Sequence, residues 1–87
     1  MPSVIQWQVS PNPFRDEIAI QLQFTQMDQV QITLYNNNGQ VVRQIESDAL
    51  IGFQPFFVST VGLQSGFYIL SIQTANQNLQ QKLIKLE

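Results

Sequence analysis

Apolar and polar residues alternate with a period of two over much of the chain. Ile18, Ile20, Leu22 and Phe24 alternate with Glu17, Ala19, Gln21, Gln23 and Thr25, and Val30, Ile32 and Leu34 with Gln29, Gln31, Thr33 and Tyr35. Strands with one wet face carry this pattern, and helical spacing is not sustained anywhere. Ser10-Pro11-Asn12-Pro13 ends a first strand of about Val4 to Val9, because two prolines fix φ and remove ladder donors. Gln26-Met27-Asp28 separates strands two and three. Asn36-Asn37-Asn38-Gly39 then reads as a hairpin turn, since Asn and Gly accept positive φ.

Strand four is expected over about Val41 to Ile45, and strand five over Phe53 to Ser59 after Gly52, with Pro55 pointing to an edge or a bulge. Strand six is expected over about Phe67 to Thr74 and strand seven over Leu79 to Leu86, separated by Ala75-Asn76-Gln77-Asn78. Seven short strands at about 10–12-residue spacing predict an all-β, immunoglobulin-like antiparallel sandwich, with an up-and-down barrel as the alternative. At 87 residues the chain makes one domain, 1–87. Two places leave the inner face undecided, Val41-Val42 and Leu83-Ile84, where adjacent apolar residues suit burial on both sides or a bulge.

Charge and composition narrow the function. Only 11% of residues are charged, so solubility rests on neutral Gln, Asn, Ser and Thr. The net charge of −2 and the absence of a basic run argue against nucleic acid. With no His and no Cys, the usual general base, the usual nucleophile pairs and any disulfide are missing. Asp16, Glu17, Asp28, Glu46, Asp48 and Glu87 read as solvated charges, and no loop has Ca²⁺-binding spacing. No enzyme, metal or cofactor is expected. The start Met1-Pro2-Ser3-Val4 is unlike a signal peptide, so if the protein is extracytoplasmic the chain is expected to be a piece of a longer one, with Met1 as an added start.

Two aromatics could serve a sugar-binding surface. Trp7 alternates with Ile5 and Val9, which favours core packing, whereas Tyr35 is out of phase with Leu34 and reads as exposed. In Leu63-Gln64-Ser65-Gly66-Phe67-Tyr68, Gly66 permits a tight turn into strand six. Tyr68 suits a tyrosine corner, with its ring inside and its hydroxyl bonded to upstream backbone.

Four segments form an ordered set: Val9-Ser10-Pro11-Asn12-Pro13-Phe14, then Leu34-Tyr35-Asn36-Asn37-Asn38-Gly39-Gln40-Val41-Val42, then Leu63 to Ile72, then Gln81-Lys82-Leu83-Ile84-Lys85-Leu86-Glu87. In order and spacing this set resembles the type A C-terminal sorting domain of type IX secretion, the Por system of Bacteroidota, from about Val9 to Glu87. The resemblance implies a sandwich fused to an upstream cargo. The cargo would be carried through the periplasm to the cell surface or extracellular space by an outer-membrane translocon, and the domain removed by a sortase-type peptidase. It implies structural roles for Pro11, Asn12, Pro13, Gly39 and Leu63. Gly66 and Tyr68 match the family's Gly-x-Tyr motif, and Lys82 and Lys85 its terminal Lys-x-x-Lys motif, here followed by Leu86 and Glu87.

A terminal strand at a sheet edge is also a physical template for strand addition. The expected recognition segment is Leu79 to Glu87, with Lys82 and Lys85 giving charge complementarity and Leu83, Ile84 and Leu86 apolar contact. Replacing both lysines with Ala is expected to spare the fold and block export. Sparse charge leaves edges able to self-pair, so a homodimer or strand swap is expected of the isolated domain. The rival reading is a carbohydrate-binding or adhesive accessory sandwich.

Overall fold

The computed structural model describes residues 2–86. Its seven strands are β1 (Val4–Ser10), β2 (Glu17–Phe24), β3 (Asp28–Asn36), β4 (Val41–Ala49), β5 (Gly52–Ser59), β6 (Gly66–Gln73) and β7 (Asn78–Lys85). They form two antiparallel sheets, β1-β2-β5 and β4-β3-β6-β7. Placing the first, second and fifth strands in one sheet and the third, sixth and seventh in the other is the immunoglobulin-like arrangement. The barrel alternative fails because each sheet has two edges.

The core is the set of positions selected by the period of two. Ile18, Ile20, Leu22 and Phe24 of one sheet face Val30, Ile32, Leu34, Leu70, Ile72 and Leu83 of the other, all buried. Strand four runs on to Ala49, beyond the expected Ile45. Its polar half, Glu46, Ser47 and Asp48, pairs with Gln31, Val30 and Gln29 although it lacks an apolar alternation. The Val41-Val42 ambiguity resolves as a register irregularity opposite Leu34 and Tyr35. Val42 packs against the core and Val41 is exposed. Pro55 lies on β5, an edge strand, where a missing donor costs least.

One expectation is corrected. Trp7 is not a core residue and keeps 37% of its surface exposed. The register shifts between Val4 and Gln6, so Ile5 bulges outward and breaks the alternation assumed for β1. Trp7 stands opposite Leu22, but β1 is an edge strand with a single neighbour, and its middle lies at the sandwich margin.

The chain enters and leaves at opposite ends. At one end the Gln77 side chain exchanges two hydrogen bonds with the Val4 main chain, at 2.8 and 3.0 Å, and the Thr25 amide donates to the Ser3 carbonyl at 2.7 Å. At the other end Leu86 lies against the β1–β2 connection. Arg43 joins the edges of the two sheets by donating to the Val42, Ser59 and Val61 carbonyls at 2.7–3.0 Å.

The chain start is also held to β3 by the Ser3 hydroxyl, which donates to the Asp28 carboxylate. That bond, helped by the Gln29 amide at 2.7 Å, holds the Asp28 carboxyl below the usual carboxylate range. A lowered folded pKa stabilises the fold above the unfolded value of about pH 4, and the contribution is lost as pH falls through the folded value. Ser3→Ala is therefore expected to lower the melting midpoint at pH 7. It is also expected to flatten the midpoint's fall below about pH 4. Thermal melts of both proteins across this range check it, and parallel curves would refute it.

Candidate functional site

The motif segments gather at the end of the sandwich where β7 finishes. The turn at Asn36 is closed by Gly39, whose φ of 81° suits glycine and whose amide donates to the Asn36 carbonyl at 3.0 Å. This turn faces the Gly62–Tyr68 segment across a groove of about 250 Å³. Leu63, half-buried, packs on the core and donates its amide to the Thr60 carbonyl at 3.2 Å. Gly66 opens β6 at φ 140°, which a side chain rarely adopts. Tyr68 is buried, and its hydroxyl donates to the Gln64 carbonyl at 2.5 Å, which makes a tyrosine corner.

Against Tyr68 stands Phe14, fully buried, with ring centroids 5.9 Å apart at 67°. Phe14 follows Pro11-Asn12-Pro13, whose two prolines are exposed and both preceded by cis peptides. This segment straps the outer edge of β7. The Phe14 amide donates to the Ile84 carbonyl at 2.9 Å, and the Leu86 amide donates to the Phe14 carbonyl at 2.8 Å. The Asn12 side-chain oxygen accepts from the Ile84 amide at 3.2 Å. Together they form a short parallel bridge beside Lys85. The edge expected to be an open template is thus covered over its last residues. Nearer its start, β7 has only β6 as a sheet neighbour.

The two terminal lysines do not share a surface. Spaced by three on a strand, their side chains leave opposite faces. Lys85 is 5% exposed, and its ammonium donates to the Arg15 carbonyl, which also accepts from the Thr60 hydroxyl at 2.8 Å. Its ammonium stands 5.9 Å from the Phe14 ring centroid. Leu83 points the same way and is fully buried opposite Tyr68. Lys82, Ile84 and Leu86 are exposed, which settles the Leu83-Ile84 ambiguity. The Lys82 ammonium lies 4.2 Å from the Phe67 ring centroid, and Ile84 pairs directly with Phe67. Glu87 lies outside the described residues.

The recognition segment proposed from sequence thus divides in two. Leu83 and Lys85 hold the strand down, and Lys82, Ile84 and Leu86 are presented. Phe14 and Phe67 are the partners that sequence reasoning left out of the site. For Phe67 the signal was its place on the face of β6 opposite Tyr68. Phe14 had no signal beyond its position after Pro13.

The family model for the secretion system C-terminal sorting domain matches residues 8–86. The chain belongs to this family. A search of curated proteins finds no match. The sorting domain is a C-terminal secretion signal of the type IX system, which implies an upstream cargo and transit through the periplasm to the cell surface or beyond. The family is one of sorting signals and not of enzymes. Nothing in the fold or the comparison supports the carbohydrate-binding alternative.

Proposed function

We propose that the outer-membrane translocon reads this sorting domain at its terminal strand, through the outward side chains Lys82, Ile84 and Leu86. Leu83 and Lys85 act from within by fixing the strand's position. The observation that carries this is the alternation along β7. Two large aliphatics are 40–41% exposed at the strand's end while their neighbours Leu83 and Lys85 are buried. Ile84 also pairs with the exposed Phe67, so these side chains form part of a contiguous apolar patch, and such patches mark interaction sites. After transit, a sortase-type peptidase separates the domain from its cargo upstream of β1.

The test fuses the chain behind a reporter bearing a signal peptide, in a host with a type IX system. Ile84→Ser combined with Leu86→Ser is expected to cut surface delivery by about tenfold or more, the equivalent of about 1.4 kcal/mol of recognition. The melting midpoint should move by less than about 4 °C, because both side chains are exposed. Full export by a folded double variant would refute the reading.

A further inference from the structure

From the geometry we infer that the partner meets a surface spanning the outer face of the four-stranded sheet, and that this partner is a protein presenting a carboxylate within an apolar frame. The inference deepens the preceding proposal and rests on it. Cross-strand partners share a face, so the register places these side chains side by side. Val41 pairs with Tyr35, Tyr35 with Ile69, Ile69 with Lys82, and Phe67 with Ile84. One band therefore crosses β4, β3, β6 and β7 at the end where the chain finishes. Val41, Phe67 and Ile84 in it are 41–53% exposed, and Tyr35 and Ile69 are half-buried.

The charge in this band determines the partner's chemistry. Of the chain's four Lys and Arg, Lys82 is the one that the register places in this band. Arg43 and Lys85 direct their charge into main-chain carbonyls, but Lys82 holds its ammonium over the exposed ring of Phe67. Among the described residues no acidic side chain shares the band. Glu46 and Asp48, paired with Gln31 and Gln29, are the acids on this face, about 13 and about 20 Å along the strand from Tyr35. A cation framed by apolar side chains selects a carboxylate that is itself framed, because closing the contact removes water from both charges and from the surrounding groups. An anionic membrane fits less well. One lysine on a chain of net charge −2 is far from the cluster of 4–8 basic residues that such surfaces need.

The test uses the reporter fusion with three outer-face variants. Lys82→Glu and Phe67→Ser are each expected to lower surface delivery by about tenfold or more with unchanged folding, and Lys82→Arg to keep it. A carbodiimide joins an amine to a touching carboxylate as an amide, with no spacer. Applied during export, it is expected to link Lys82 to an Asp or Glu of a type IX outer-membrane component, as read by peptide mass spectrometry. Lys82→Arg should export normally and lose that link.

If Ile84→Ser/Leu86→Ser blocks export while Lys82→Glu and Phe67→Ser export like the parent, the band is refuted and the terminal-strand reading stands through Ile84 and Leu86 alone. If all of them export, both fall. Lys82-dependent binding of the chain to phosphatidylglycerol vesicles, with no carboxylate link, would also overturn the inference.

Discussion

Replacing Phe14 with Ala is expected to cost about 3–5 kcal/mol of folding stability. A chain of this length has roughly 4–13 kcal/mol in total, so the variant should be largely unfolded on mild warming. The ring is fully buried and meets Tyr68 edge to face, and it lies under the Lys85 ammonium. Its removal leaves a cavity where three segments distant in sequence converge. Denaturant titration measures the loss. Amide exchange should show Ile84 and Leu86 opening first, because their hydrogen bonds run to the Asn12–Phe14 strap. A loss below about 1 kcal/mol would mean that the strap is not anchored by this ring.

The second large effect separates the two lysines. Lys85→Ala is expected to lower stability by about 1.5–3 kcal/mol, the range for a hydrogen bond made by a charged group. Lys82→Ala should change it by less than about 0.5 kcal/mol, as exposed substitutions do. The expectation that both lysines could be removed without harm to the fold is thus revised. A double Ala variant that fails to export would report a loosened strand as readily as a lost contact. Single substitutions, each paired with a melt and an export assay, keep the two effects apart. Equal stability losses for both lysines would contradict the assignment.

Much of the architecture was written in local pattern. The alternation through Ile18–Phe24 and Val30–Leu34 specified two core faces, because a one-residue slip would turn every apolar side chain to water. The Asn36–Gly39 turn and the corner at Tyr68 were legible for the same reason, since each is made within a few residues. Trp7 was misplaced because a bulge at Ile5 and an edge position are properties of the assembled sheet.

The site was half legible. Once β7 is a strand, the spacing of Lys82 and Lys85 already sends them to opposite faces. Which face is inner depended on Leu83 or Ile84, and the sequence left that open. The strap was out of reach. The Phe14 main chain bonds to Ile84 and Leu86 across nearly the whole chain, and no local periodicity encodes such a contact.

The placement of chain start and chain end at opposite poles has a mechanical consequence. Tension between a cargo upstream of β1 and a grip on the end of β7 would pull along the strand axes from both poles. The two strands lie in different sheets, so this load crosses the packed interior and the ladders as shear. Antiparallel ladder bonds stand perpendicular to the strands and would share that load together, where a peeling force would break them one at a time. If the translocon grips β7 as proposed, the sorting domain would act as a handle, hauled by its terminal strand while it stays folded.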